Sequence, residues 1–288
     1  MALTFDLADD REITLEEYVQ HVREQVDTSD EESIAASAPW LRRLLNNRNL
    51  VADKLNDELR AWRDFQHDNS YTAQTLILWQ DELFFVRANI WAPQSANVVL
   101  AEKERDLYFY GVAHDHNFTF MTGGYLGGGY ETAIYEYDGW KYRGEKHVDL
   151  HFLEHTRLPR GKIMLYRESR DIHEQGYPED YSVSINLMTG RKGGSRPHLR
   201  QLLFDVGSKT VTESMDSGAG RVMMTEVAKF AGDARTAALL CDICEVHPDR
   251  DLRGHALDAL AVLEPSREAE IAAWRERITH DAMDRALS

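Results

Sequence analysis

The sequence predicts a mainly β protein carrying helices at both ends, with the β portion folded as a jelly-roll barrel. Three observations predict it. Apolar residues recur at helical spacing from Thr14 to about Phe65, short β-branched and aromatic runs separated by turn formers replace them from about Tyr71, and helical spacing returns after Thr210. The expected organisation is a helical segment at 1–70, a β-barrel at 71–209 and a second helical segment at 210–288.

In the first segment Leu15, Tyr18, Val19, Val22 and Val26 share one helical face, followed by Trp40, Leu41, Leu44 and Leu45, then Leu55, Leu59 and Trp62. Thr14 before Glu16 and Glu17 reads as a capped helix start, because its hydroxyl can accept from the free amides of the first turn. Asp30 before Glu31 and Glu32 reads as a second start. Strands are expected at 75–79, 83–91, 98–101, 107–119, 130–137, 147–153, 162–166 and 181–187. Asp138-Gly139 is a hairpin signal, and the glycines between Gly123 and Gly129 permit the positive φ of tight turns. Many short strands without helices between them indicate a sandwich or barrel. Four helices are expected at 222–230, 234–246, 251–263 and 268–278, with Pro248 and Pro265 in the connections. The stretch 249–263 resembles a HEAT-type helical repeat over about one and a half units, and such helices would cap the barrel or form a homodimer contact.

With 43% hydrophobic residues in 288, the chain can bury one sizeable core and a smaller helical layer. The 33 basic against 49 acidic residues, a net charge of -16, argue against nucleic-acid phosphates or a polyanionic membrane surface as partners. The first residues lack the basic start and apolar stretch of a secretion signal, and no run approaches the roughly 20 apolar residues of a membrane span. A soluble cytoplasmic protein is expected. Cys241 and Cys244 are the only cysteines, too few for a disulfide framework. Both can lie on the apolar side of a helix, which reads as two core thiols.

His114-Asp115-His116 ends an aromatic run at 107–113 and precedes the glycine-rich turn. Side chains two apart on a strand share a face, so two imidazoles from one strand can hold two coordination positions of one metal. An isolated HxH also occurs on solvated strand faces. Asp115 should point outward, in a structural role.

Over about two fifths of the chain, 76–187, the central zone resembles a cupin. The first cupin motif has an HxH on a strand, a glutamate four or five residues past the second histidine, and then a glycine turn. His114 and His116 match the HxH and Gly127 or Gly128 the turn, whereas Phe120 and Met121 stand where the glutamate belongs. The second motif has a glycine opening a strand, a turn, and a third histidine entering the next strand. Gly161 to His173 fits that outline with one extra residue, Arg167 and Ser169 replacing the usual proline and glycine. The resemblance implies a metal held by His114, His116 and His173, with His147, His151 and His155 as competitors for the third place. Three neutral imidazoles suit iron, zinc, copper or nickel and leave the opposite positions open, which points to chemistry rather than structural bracing.

Cupins with three histidines resemble the thiol dioxygenases and related non-haem iron oxygenases. That likeness implies Fe(2+), or another first-row divalent metal, and an oxidoreductase (dioxygenase or oxidase) that brings molecular oxygen to a small polar, carboxylate-bearing substrate. In that group an arginine from an early strand grips the substrate carboxylate, and Arg87 is placed like it. A guanidinium holds a carboxylate by two parallel hydrogen bonds. Tyr166 and Tyr181 are candidates to position oxygen or donate a proton. Met121 stands at the position of the crosslinking cysteine of cysteine dioxygenase, so no protein-derived cofactor and no cysteine substrate are expected. Two alternatives remain open: a metal-dependent isomerase or lyase without oxygen chemistry, and a non-enzymatic ligand-binding cupin whose helices dock a partner. An aromatic cavity would also accept a ring, as extradiol-type cleavage requires.

Overall fold

The computed structural model describes residues 3–64, 66, 69, 74–142, 145–189, 201–215, 219–247 and 250–287. The boundary expected between 70 and 71, and Pro248, lie outside them. The described residues form two compact units, the first ending at Glu213 and the second beginning at Ser214. None of their helices is long and apolar enough to cross a membrane.

Twelve strands are described, all in the first unit save the last two residues of β12: β1 (Leu3–Phe5), β2 (Thr75–Gln80), β3 (Phe84–Trp91), β4 (Ala113–His114), β5 (Phe120–Leu126), β6 (Glu131–Glu136), β7 (His151–Arg157), β8 (Ile163–Tyr166), β9 (Asp171–Gln175), β10 (Ser182–Thr189), β11 (Gln201–Asp205) and β12 (Thr210–Met215). They make two six-stranded antiparallel sheets, ordered β1-β8-β5-β10-β3-β2 and β12-β11-β4-β9-β6-β7. The described strands thus stand as two sheets and do not close into one continuous barrel.

Strand alternation sorts the core. In β3, Phe84, Val86 and Ala88 face one way and Phe85 and Trp91 the other; in β8, Ile163 and Leu165 oppose Met164 and Tyr166. The first set packs beneath the N-terminal helices α1 (Leu15–Gln25), α2 (Glu31–Ala36) and α3 (Ala38–Asn46), where Tyr18, Val22, Leu41, Leu44 and Leu45 are fully buried. The second set meets Tyr130 and Ile134 from β6 and its approach, forming the layer between the sheets. Because both faces of the first sheet are covered, β2 and β8 read as nearly unbroken apolar runs over 76–79 and 163–166. Gly123 lets α3 approach β5 closely, since a Cβ there would collide with the Leu45 side chain.

The helix starts follow the expected chemistry. Thr14 Oγ1 accepts from Glu17 N at 3.2 Å while Glu17 Oε2 accepts from Thr14 N at 2.8 Å, a reciprocal cap of α1. Asp30 accepts from Glu32 N and Ser33 N at the start of α2. Helix α4 (Leu50–Arg60) follows.

Several expectations fail on local grounds. The strand expected at 98–101 is instead helix α5 (Val98–Tyr108), capped by Asn97, whose side chain accepts from Val99 N and Leu100 N. The β-branched Val98 and Val99 lie 72% and 61% exposed, so no sheet recruits them, and the following Ala-Glu-Lys-Glu-Arg favours a helix. The strand expected at 107–119 shrinks to β4, and Asp138-Gly139 lies in a long connection rather than a two-residue turn, although the strands it joins, β6 and β7, pair antiparallel as a hairpin does. Strands β1, β5, β9, β11 and β12 were outside the expected set, and Gly123 and Gly124, read as turn residues, lie within β5.

In the second unit, α6 (Ala219–Ala231), α7 (Ala234–Val246), α8 (Arg250–Leu263) and α9 (Glu268–Leu287) match the four expected helices. Leu240 and Cys244 of α7 pack with Ala256, Leu257 and Leu260 of α8 and Ile271 and Trp274 of α9, so Cys244 is a core thiol. Cys241 packs at the edge of that cluster.

Candidate metal centre

The second sheet assembles the site. β4 pairs with β9 in a register that sets His114 opposite His173. Directly opposed residues of an antiparallel pair project from the same face, their Cβ atoms about 4.5–5.5 Å apart. His116 follows just beyond β4, and its carbonyl accepts from Ser169 N at 2.7 Å, which ties it to the turn before β9. His173 Nε2 then lies 3.0 Å from His114 Nε2 and 3.2 Å from His116 Nε2. One nitrogen from each of the three rings falls within 4.8 Å of the other two.

These contacts cannot all be hydrogen bonds. A neutral imidazole nitrogen offers either one proton or one lone pair, yet His173 Nε2 also faces Gln175 Nε2 at 3.2 Å. The His114 Nδ1–H donates to the Val112 carbonyl at 2.9 Å, leaving the His114 Nε2 lone pair turned into the cluster. A cation that takes the lone pairs of the three Nε2 atoms removes the conflict among the rings. Two nitrogens each about 2.1 Å from an ion are about 3.0 Å apart at right angles and about 3.4 Å apart in a tetrahedron. The observed 3.0 and 3.2 Å therefore fit neighbouring positions around one first-row metal.

The charge state agrees. Burial pushes His114 down to about 4, against a smaller opposing effect of the Val112 carbonyl. Burial first, then neighbouring imidazoles, then the Arg87 charge hold His116 and His173 well below the usual histidine range. All three rings are neutral near pH 7, the form that ligates.

Aromatic rings enclose the cluster. Phe118 and Phe120 lie 4.9 and 4.8 Å from His116, Phe109 4.9 Å from His114 and Tyr166 4.5 Å from His173, measured between ring centroids. Phe120, at one of the positions where a cupin carries its glutamate, stacks on Tyr166 at 4.9 Å. An apolar wall thus replaces the carboxylate. Burial, with Tyr130 nearby, keeps the Tyr166 phenol well above its usual range, so it stays protonated. Arg87 is half-buried on β3 and by alternation shares the inter-sheet face with Phe85 and Trp91.

Other expected residues lie elsewhere. Tyr181 is 66% exposed ahead of β10 and drops out of the candidate set. His147 is exposed, His151 pairs with Asp149 at 3.1 Å, and His155 stands 3.6 Å from Glu131 on the edge strand β7. Asp115 points away from the imidazoles as alternation requires, yet it is fully buried rather than solvated. Its carboxylate accepts from Leu202 N at 2.6 Å and from the Tyr137 hydroxyl at 2.5 Å, which holds the HxH segment from behind. The sequence reading missed Gln175, whose only signal was its place two residues beyond His173 on the same strand face.

No protein-family model and no curated protein matches the chain. Among solved structures, hydroquinone 1,2-dioxygenase PnpCD in complex with Cd2+ and 4-hydroxybenzonitrile overlaps 42% of this chain and 67% of its own, at 10% identity and a TM-score of 0.28. Hydroquinone 1,2-dioxygenase from Sphingomonas sp. TTNP3 with 4-hydroxybenzoate bound overlaps 44% and 71%, at 9% identity and a TM-score of 0.28. Overlap this slight does not establish a common fold, and the chemistry of the site rests on its own geometry.

Proposed function

We propose that this chain is a cupin-type, non-haem iron(II)-dependent oxygenase acting with molecular oxygen on a small, carboxylate-bearing organic substrate. The observation that carries this reading is the convergence of three neutral, enclosed imidazole nitrogens at 3.0 and 3.2 Å. From β4 to β11 the chain crosses repeatedly between the sheets, as a double-sheet jelly roll does, which supports the cupin reading. The division into segments 1–70, 71–209 and 210–288, with the last as a HEAT-like segment, belongs to the same proposal.

Bound iron(II) would supply open positions for substrate and oxygen and the electrons that couple them. The chain does the rest. His114, His116 and His173 hold one face of the ion, and the Val112 carbonyl fixes the His114 tautomer. Phe118, Phe120 and Tyr166 exclude water on the imidazole side. Arg87, on the facing sheet, orients a carboxylate by paired hydrogen bonds, and protonated Tyr166 donates a hydrogen bond rather than acting as a base. The aromatic walls favour a second reading within the same class, an extradiol-type cleavage of a phenolic ring.

Oxygen-electrode assays on the iron-loaded chain, run against panels of small carboxylates and phenols, test the proposal. Substrate-dependent uptake, lost in His114→Ala and weakened in KM by Arg87→Met, is expected. Turnover of a panel member without oxygen consumption would transfer the site to Lewis-acid isomerase or lyase chemistry, and metal binding without any turnover to a ligand-binding role.

A further inference from the structure

We infer that Gln175 is a fourth protein ligand of the metal, its amide oxygen completing a three-histidine, one-glutamine set; this rests on the metal-centre reading above. Gln175 and His173 are two apart on β9, so their side chains share the face that carries the imidazoles. The Gln175 side chain is 6% exposed, and its Oε1 is buried with no hydrogen-bond partner among the described residues. An orphaned buried amide oxygen costs about 1–3 kcal/mol, so a role for it is expected.

The other amide atom, Nε2, sits 3.2 Å from His173 Nε2, the same spacing as His116 Nε2 from that atom. Gln175 thus reaches a position adjacent to His173 in the coordination sphere. Once His173 Nε2 gives its lone pair to an ion it cannot also accept from the amide. A half-turn about the last side-chain bond exchanges the two amide atoms, bringing Oε1 to the ion and turning the NH2 away. Four protein atoms would then hold the ion, and a six-coordinate metal would keep two further places for substrate and oxygen. The set stays uncharged, as expected where Phe120 has displaced the carboxylate.

Anaerobic titration with Fe2+ and with Co2+, following affinity and the Co2+ visible spectrum, tests this on the full chain with Gln175→Leu, Gln175→Glu and His173→Ala. Gln175→Leu is expected to bind at least about tenfold more weakly and to shift the Co2+ bands, with the metal-free protein at least as thermally stable as the wild type. Gln175→Glu keeps an oxygen donor and is expected to restore affinity, whereas a role as NH2 donor would make it as weak as the leucine. Wild-type affinity and spectrum in Gln175→Leu, with binding lost in His173→Ala, would overturn the fourth ligand and leave the histidine site standing. Absence of binding by the wild type would overturn both.

Discussion

Replacing Asp171 with alanine is expected to destabilise the first unit by about 3–5 kcal/mol, the usual cost of breaking one side of a buried ion pair. Asp171 is 1% exposed and opens β9, two residues before His173. Its carboxylate accepts from Arg167 N at 2.8 Å, Nε at 2.9 Å and Nη2 at 2.6 Å. Arg167 is itself only 7% exposed, and without Asp171 its guanidinium keeps Glu136 at 3.1 Å, an acceptor already shared with Arg170 at 2.6 Å. Three hydrogen bonds are lost and a buried cation is left with half its compensation. For a unit of this size each kcal/mol moves Tm by about 2–4 °C, so a fall of roughly 6–20 °C is expected in thermal unfolding of the metal-free protein. The double variant Arg167→Met, Asp171→Leu removes both charges and should recover most of the loss. A single-variant cost below about 1 kcal/mol, or a double variant no better than the single, would refute the reasoning.

Phe120→Glu places a carboxylate beside His116 and removes the ring stacked on Tyr166. The metal-free variant should lose about 3–5 kcal/mol, as for loss of a buried phenylalanine, and metal should raise its Tm by more than it raises that of the wild type; equal metal-induced shifts would argue against a cation at this spot. In the second unit, burial pushes the Cys244 thiol up to about 11 and raises Cys241, whose Sγ accepts from Arg267 Nη1 at 2.9 Å. A raised pKa leaves less thiolate at pH 8, so Cys244 should react with a disulfide reagent about a hundredfold more slowly than a free cysteine; fast labelling of both would contradict the reading of the pair as core thiols.

Periodicity read the helical ends well because one-sided burial leaves a regular stripe: Tyr18, Val19 and Val22 of α1, or Leu41, Leu44 and Leu45 of α3, face the sheet as spaced. It failed at α5, where Val98 and Val99 carry β propensity but no neighbouring strand, and the Asn97 cap decides the matter. The three histidines were legible from spacing and from the cupin likeness. What spacing could not reveal is pairing: His173 joins His114 because β4 and β9 are adjacent, though 59 residues separate them. The burial of Asp115 was hidden for the same reason, since the Leu202 amide that it accepts from arrives from a distant chain segment. Tyr181 misled because position along a strand run says nothing of where the sheet ends.

Anaerobic iron(II) binding to the wild type beside His114→Ala, His116→Ala and His173→Ala tests the three-imidazole centre most directly. One ion per chain is expected in the wild type, with stabilisation of about 2.7 kcal/mol at a hundredfold excess over Kd, and loss of both in each variant. A wild-type chain that takes up no ion, or variants that bind as it does, would contradict the centre.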